Sequence, residues 1–200
     1  MIVYVESNFI LELAYLQEEH DFCIQLLELA IAKKIRLVVP NYCVAEAYHS
    51  WVVKSNKRLD INRKISEEIR ELSRSKPYTI SAQDLNGIAL LLAESTESEK
   101  QLLDQRISEI LVHSTLIAFE PATIVTATAS QVNYDLSIQD SLVFASVMTH
   151  LQNKSGESKC FITKNSRDFG STDVLSQFNQ HNCKVLFKFQ AGLGYIQSQL

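Results

Sequence analysis

The feature that most constrains this chain is a series of short apolar runs, each closed by a polar or helix-breaking residue and each followed by a segment of helical periodicity. Val3–Val5, Ile35–Val39, Thr115–Phe119, Cys160–Thr163 and Lys184–Phe187 carry the β-branched and aromatic residues of buried strands. Helical stripes separate them: Phe9, Ile10, Leu13 and Leu16; a segment from Phe22 to Lys33; Val44, Ala45, Tyr48, Trp51 and Val52; a run from Pro121 to about Asn133; and DSLVFASVMTHL from Asp140, apolar almost all round. Strands that alternate with helices predict an α/β fold with a parallel central sheet flanked by helices on both faces. Asn8 is expected to cap the first helix, Asn41 the third and Asp140 the buried one.

With 200 residues and 46% hydrophobic content, the chain can bury a full core as one domain, 1–200. Residues 56–113 are serine-rich and charged, with stripes at Leu85, Ile88 and Leu92 and at Leu103, Ile107, Ile110 and Leu111. They are expected to form a helical insertion in that domain. No stretch has the length of a membrane span, and the start lacks a basic, cleavable leader pattern. Cys23, Cys43, Cys160 and Cys183 form no C-x-x-C pair, as expected of small core residues in a reducing compartment. A cytoplasmic protein is the expectation.

The net charge of −4 excludes coating of nucleic acid by bulk charge, but its distribution is uneven. From Lys54 to Lys76 eight basic residues face four acids, a local +4 that leaves the remainder of the chain at −8. Lys54, Lys57, Arg58, Arg63 and Lys64 lead this segment. It is either a basic arm for a phosphate backbone or a solvated helix laced with i,i+4 ion pairs.

In open parallel sheets, sites form at the carboxyl ends of strands. Four acids fall at such places: Glu6 after the first strand, Glu46 in the helix after the second, Asp140 at the start of the buried helix, and Asp168 in the turn after the Cys160 strand. Each alone reads as a cap or a dipole partner. Four converging on one rim would repel one another unless a cation joined them.

These residues resemble the PIN domain family. VYVESNFILEL is similar to its opening, a strand delivering an acid two residues before an Asn or Ser, and VVPNYCVAEAY to its second segment with a single Glu. LSIQDSLVFASV resembles the third, with an Asp at the start of the central helix, and FITKNSRDF the fourth. The resemblance implies a doubly wound, three-layer fold and a ribonuclease using Mg²⁺ or Mn²⁺ held by Glu6, Glu46, Asp140 and Asp168, with Asn8, Thr163 and Asn165 bracing them. RNA is the implied partner. An antitoxin, as in toxin–antitoxin pairs, another protein and a second copy of the chain are further partners open to it, and a membrane is not.

The sequence departs from the family at Glu6, where Asp is usual, and at Asn165, where many relatives carry an acid. Shortening Glu6 to Asp is therefore expected to retain or raise activity. The alternative is a degenerate PIN-like module that binds RNA or a protein without catalysis.

Overall fold

The computed structural model describes residues 1–154 and 156–200, apart from the side chains of residues 83, 84 and 86. The element order is β1 (Ile2–Val5), α1 (Ser7–Tyr15), α2 (His20–Ile31), β2 (Arg36–Pro40), α3 (Asn41–Ser73), α4 (Thr79–Asp84), α5 (Asn86–His113), β3 (Thr115–Ile117), α6 (Pro121–Tyr134), α7 (Ile138–Gln152), β4 (Lys159–Ile162), α8 (Ser166–Phe169), α9 (Thr172–Gln180), β5 (Cys183–Leu186) and α10 (Phe189–Gln197). All five strands are parallel, in the order β3-β2-β1-β4-β5. The apolar runs thus form the expected sheet, with β1 at its centre and all four residues of β1 buried.

The connections place helices on both faces. β1 leads to β2 and then to β3 in one direction, while β4 leads to β5 in the other. With right-handed crossovers, the two sets of helices fall on opposite sides. Accordingly α10 packs on α2, and α7 lies over β2 and β3 with α6 behind it. The direction of winding reverses between β1 and β4, so the crevice at their carboxyl ends is the switch point of the sheet.

Helix starts differ from the sequence expectation in three places. Helix α1 begins at Ser7 with Glu6 at its cap position, so Asn8 lies inside the first turn and does not cap. Helix α3 begins at Asn41 itself, with Pro40 preceding it and no side-chain cap. Helix α7 is capped by Ser137, whose hydroxyl accepts the Asp140 N–H at 3.1 Å, and Asp140 sits in the first turn. In all three the chain turns earlier than the apolar periodicity suggests, because the first residues of a helix need not be apolar.

The helical region also divides differently. Helix α3, 33 residues and about 50 Å long, runs unbroken past residue 56 to Ser73. Helix α5 returns alongside it, and its second half belongs to the main core: Leu103, Ile107 and Ile110 are buried there together with β1 and α1. Side chains zip the hairpin along its length: Tyr48 Oη donates to Asp104 Oδ1 at 2.8 Å, Trp51 Nε1 to the Thr96 carbonyl at 3.3 Å, and Asn62 Nδ2 to the Ala89 carbonyl at 2.8 Å. All four cysteines are free and buried. Among the described residues, no helix is long and apolar enough to cross a membrane.

Candidate functional site

The carboxyl edge of β1 delivers Glu6 into the switch point. Its side chain is 4% exposed, and three neighbours hold it. Thr163 Oγ1, just past the end of β4, donates to Glu6 Oε1 at 2.5 Å; Asn8 Nδ2 donates to the same oxygen at 2.6 Å; Ser7 Oγ donates to Oε2 at 3.3 Å. Burial pushes the Glu6 carboxyl up to about 7, although the Thr163 and Asn8 hydrogen bonds favour its charged form. The charges of Glu46 and Asp140 add to the rise.

Glu46 projects from the second turn of α3, which starts at the same edge. Its carboxyl is raised by burial and by Asp140, while the Ser7 hydroxyl and His49 oppose the rise. Asp140 takes Ser137 Oγ on Oδ2 at 2.5 Å and Asn165 Nδ2 on Oδ1 at 2.9 Å. Burial lifts its pKa, and the neighbouring Asp168 carboxylate lifts it further. Asp168 itself lies in the single turn of α8, its N–H donating to Asn165 Oδ1 at 3.3 Å. Asn165 therefore links the last two acids.

Glu6, Glu46 and Asp140 each stand close enough to another acid for its charge to raise their pKa, yet among the described residues no three acid, cysteine or histidine side chains are arranged as a cation cage. Hydrogen bonds hold the two carboxylates separately, Glu6 by Thr163 and Asn8, Asp140 by Ser137 and Asn165. The donor set is all oxygen and carries excess negative charge, which suits a hard divalent cation.

The basic segment is split by its partners. Lys54 and Arg58 point into the hairpin, where both pair with Glu99 of α5, Lys54 at 3.0 Å and Arg58 through two nitrogens at 2.8 and 2.9 Å. The Lys54 ammonium also lies 3.7 Å from the centre of the Tyr15 ring. Lys57, Arg63 and Lys64 are exposed, and Arg63 makes only a loose 3.7 Å pair with Asp60. The exposed charges begin about 16 Å along α3 from Glu46 and lead away from the rim.

Ser7 and Ser137 were not singled out as rim residues by the sequence. The S-x-x-D spacing of Ser137 and Asp140 is a helix-start signature that could have found one of them. The bond from Thr163 to Glu6 crosses 157 positions of sequence, so it is reached through the family resemblance of FITKNSRDF and not through local spacing.

A doubly wound α/β protein with acids gathered at its switch point is the class these features define. A family model described as a PIN domain matches residues 3–169, and the chain belongs to that family. Its fold is therefore of nuclease type. Neither a curated protein nor a solved structure gives a significant match to the chain.

Proposed function

We propose that the protein is a divalent-cation-dependent endoribonuclease acting at the β1–β4 crevice. The observation that carries this reading is Glu6, a buried carboxylate aimed into the switch point by Thr163 and Asn8, beside Glu46 and Asp140, with its pKa pushed up to about 7. Such a group is costly to keep charged without a counter-ion. Glu6, Glu46, Asp140 and Asp168 would hold Mg²⁺ or Mn²⁺, with Asn8 and Thr163 orienting the carboxylate of Glu6 and Asn165 that of Asp140. Bound there, the cation would offset phosphate charge and make a water acidic enough to attack phosphorus near neutral pH. A single RNA strand enters such a crevice without duplex melting, which favours RNA as the substrate. A cytoplasmic toxin of a toxin–antitoxin pair is the narrower form of the same reading.

Incubating a labelled, mixed RNA pool with the protein and Mn²⁺, with and without EDTA, tests this. EDTA-sensitive cleavage is the expected result. Its absence on every RNA favours the alternative, a non-catalytic module that binds RNA or a protein.

Two predictions concern how the site is fitted. The expectation that Glu6→Asp retains or raises activity is opposed by the hydrogen bonds that Thr163 and Asn8 make to the longer side chain. Removing one methylene withdraws the carboxylate about 1.5 Å from Thr163 and Asn8. Cleavage should fall about a hundredfold, read as kcat/KM on one RNA; equal or higher activity would show that the Thr163 contact is not needed.

The exposed cations of α3 should act on RNA affinity. Replacing Lys57, Arg63 and Lys64 together by Gln should reduce the slope of log K against log salt by about 2 to 3. Lys54 and Arg58 share the single carboxylate of Glu99, which offsets one of their two charges, so together they add less. A filter-binding series over several salt concentrations measures this, and an unchanged slope would return α3 to a solvated, ion-paired face.

A further inference from the structure

The backbone ladder between β1 and β4 ends at the pair Val5 and Ile162, one residue before Thr163. Past that point the chain carries Thr163, which holds Glu6, and Asn165, which holds Asp140. Two backbone donations help shape this loop: the Thr163 N–H reaches the Leu186 carbonyl at 3.0 Å, and the Asn165 N–H reaches Thr163 Oγ1 at 2.8 Å. Between them, Lys164 extends to α1, where its ammonium donates to Glu12 Oε1. It also approaches the exposed Glu18 at 3.6 Å.

Glu12 is 1% exposed, and a carboxylate so deeply buried is costly unless its oxygens are satisfied. Lys164 takes one oxygen; the Glu19 N–H takes the other at 2.9 Å. Glu19 in turn accepts the Phe189 N–H at 2.9 Å and the Gln190 N–H at 3.4 Å at the start of α10. Glu12 is thus tied to the core of the fold, and Lys164 is the side chain through which the β4–α8 loop is tied to Glu12. None of these groups touches the acid rim.

We propose that Lys164 is a positioning residue, whose pair with Glu12 sets the height of the Thr163–Asn165 loop and so the aim of Glu6 and Asp140. Its effect on cleavage rests on the ribonuclease reading, whereas its effect on the loop does not. The test compares Lys164→Met and Lys164→Arg with Lys159→Met, which removes a buried ammonium from the opposite end of the same strand, where it donates to the His181 carbonyl at 2.9 Å.

Three quantities are measured besides the melting temperature: hydrogen exchange at the Asn165 amide, Mn²⁺ affinity by calorimetry, and kcat and KM on RNA. Lys164→Met should speed Asn165 exchange about tenfold and lower Mn²⁺ affinity and kcat about 10- to 100-fold, with KM little changed. Lys164→Arg should restore all three. Lys159→Met should lower the melting temperature and leave them in place. The proposal is overturned if Lys164→Met behaves like Lys159→Met, or if Lys164→Arg rescues nothing. Should the unmodified protein neither bind Mn²⁺ nor cleave RNA, the ribonuclease reading falls by itself; Asn165 exchange still decides the positioning role, faster exchange supporting it and unchanged exchange overturning it.

Discussion

Glu6→Gln should abolish cleavage and, in the same protein, raise the stability of the metal-free fold at pH 8. The carboxyl of Glu6 moves from an ordinary value of 4.5 to about 7 in the folded chain. A raised carboxyl favours the folded state most when protonated, so its contribution is fully present below about pH 4.5 and is lost as pH rises through 7. The difference amounts to about 3 kcal/mol. A neutral amide keeps an oxygen to accept from Thr163 and Asn8 but never ionises. In EDTA, melting temperatures of the unmodified protein should therefore decline between pH 5 and 8 more steeply than those of the Glu6→Gln variant. Parallel curves would show that Glu6 titrates as an ordinary surface acid. With cation present the order reverses, because the charged form of Glu6 is then the one that binds.

The second large effect is expected at Asp140. Asp140→Asn keeps one oxygen acceptor, for Ser137 or for Asn165 but not for both, and leaves the Asp140 N–H donating to Ser137 Oγ, so α7 should remain capped and the fold intact. It removes a charge that both Glu6 and Glu46 feel. Cleavage should fall well beyond the roughly 10- to 100-fold loss typical of residues that only orient a ligand, and Asn165→Ala should fall within that smaller range. Single-turnover rates on one RNA separate the two variants. Equal modest losses would make Asp140 a helix-start residue and remove it from the chemistry.

Much of the architecture is legible in the sequence because a buried parallel strand has no polar face. Val3–Val5 and Cys160–Thr163 can only be interior, and the helical stripes between the strands need a sheet to cover. Where helices begin is less legible. Asn8 and Asn41 have the composition of caps, but Glu6 and Pro40 occupy the cap positions, since what a turn residue does depends on where the preceding strand stops. The stripe of Leu103, Ile107 and Ile110 announces an apolar face without naming its partner, so it reads as part of an insertion when it in fact packs into the main core. The same limit applies to charge. Lys54 and Arg58 look like free cations until Glu99, more than 40 positions away, is placed against them. The acids themselves are legible because a strand end fixes their location. Asn8, Thr163 and Asn165 are reached through the family resemblance, whereas Lys164 carries no such signal and meets Glu12 only after β4 has paired with β1.

The central claim is that the carboxylates at the β1–β4 crevice bind a divalent cation as their working state. Titration calorimetry with Mn²⁺ at pH 8, repeated in buffers of different ionisation enthalpy, tests it most directly. The account predicts one site whose affinity weakens as pH falls below 7, whose binding releases protons, and which is lost in Glu6→Gln and Asp140→Asn. An absence of binding, or a site that survives both substitutions with unchanged affinity and no proton release, would contradict it.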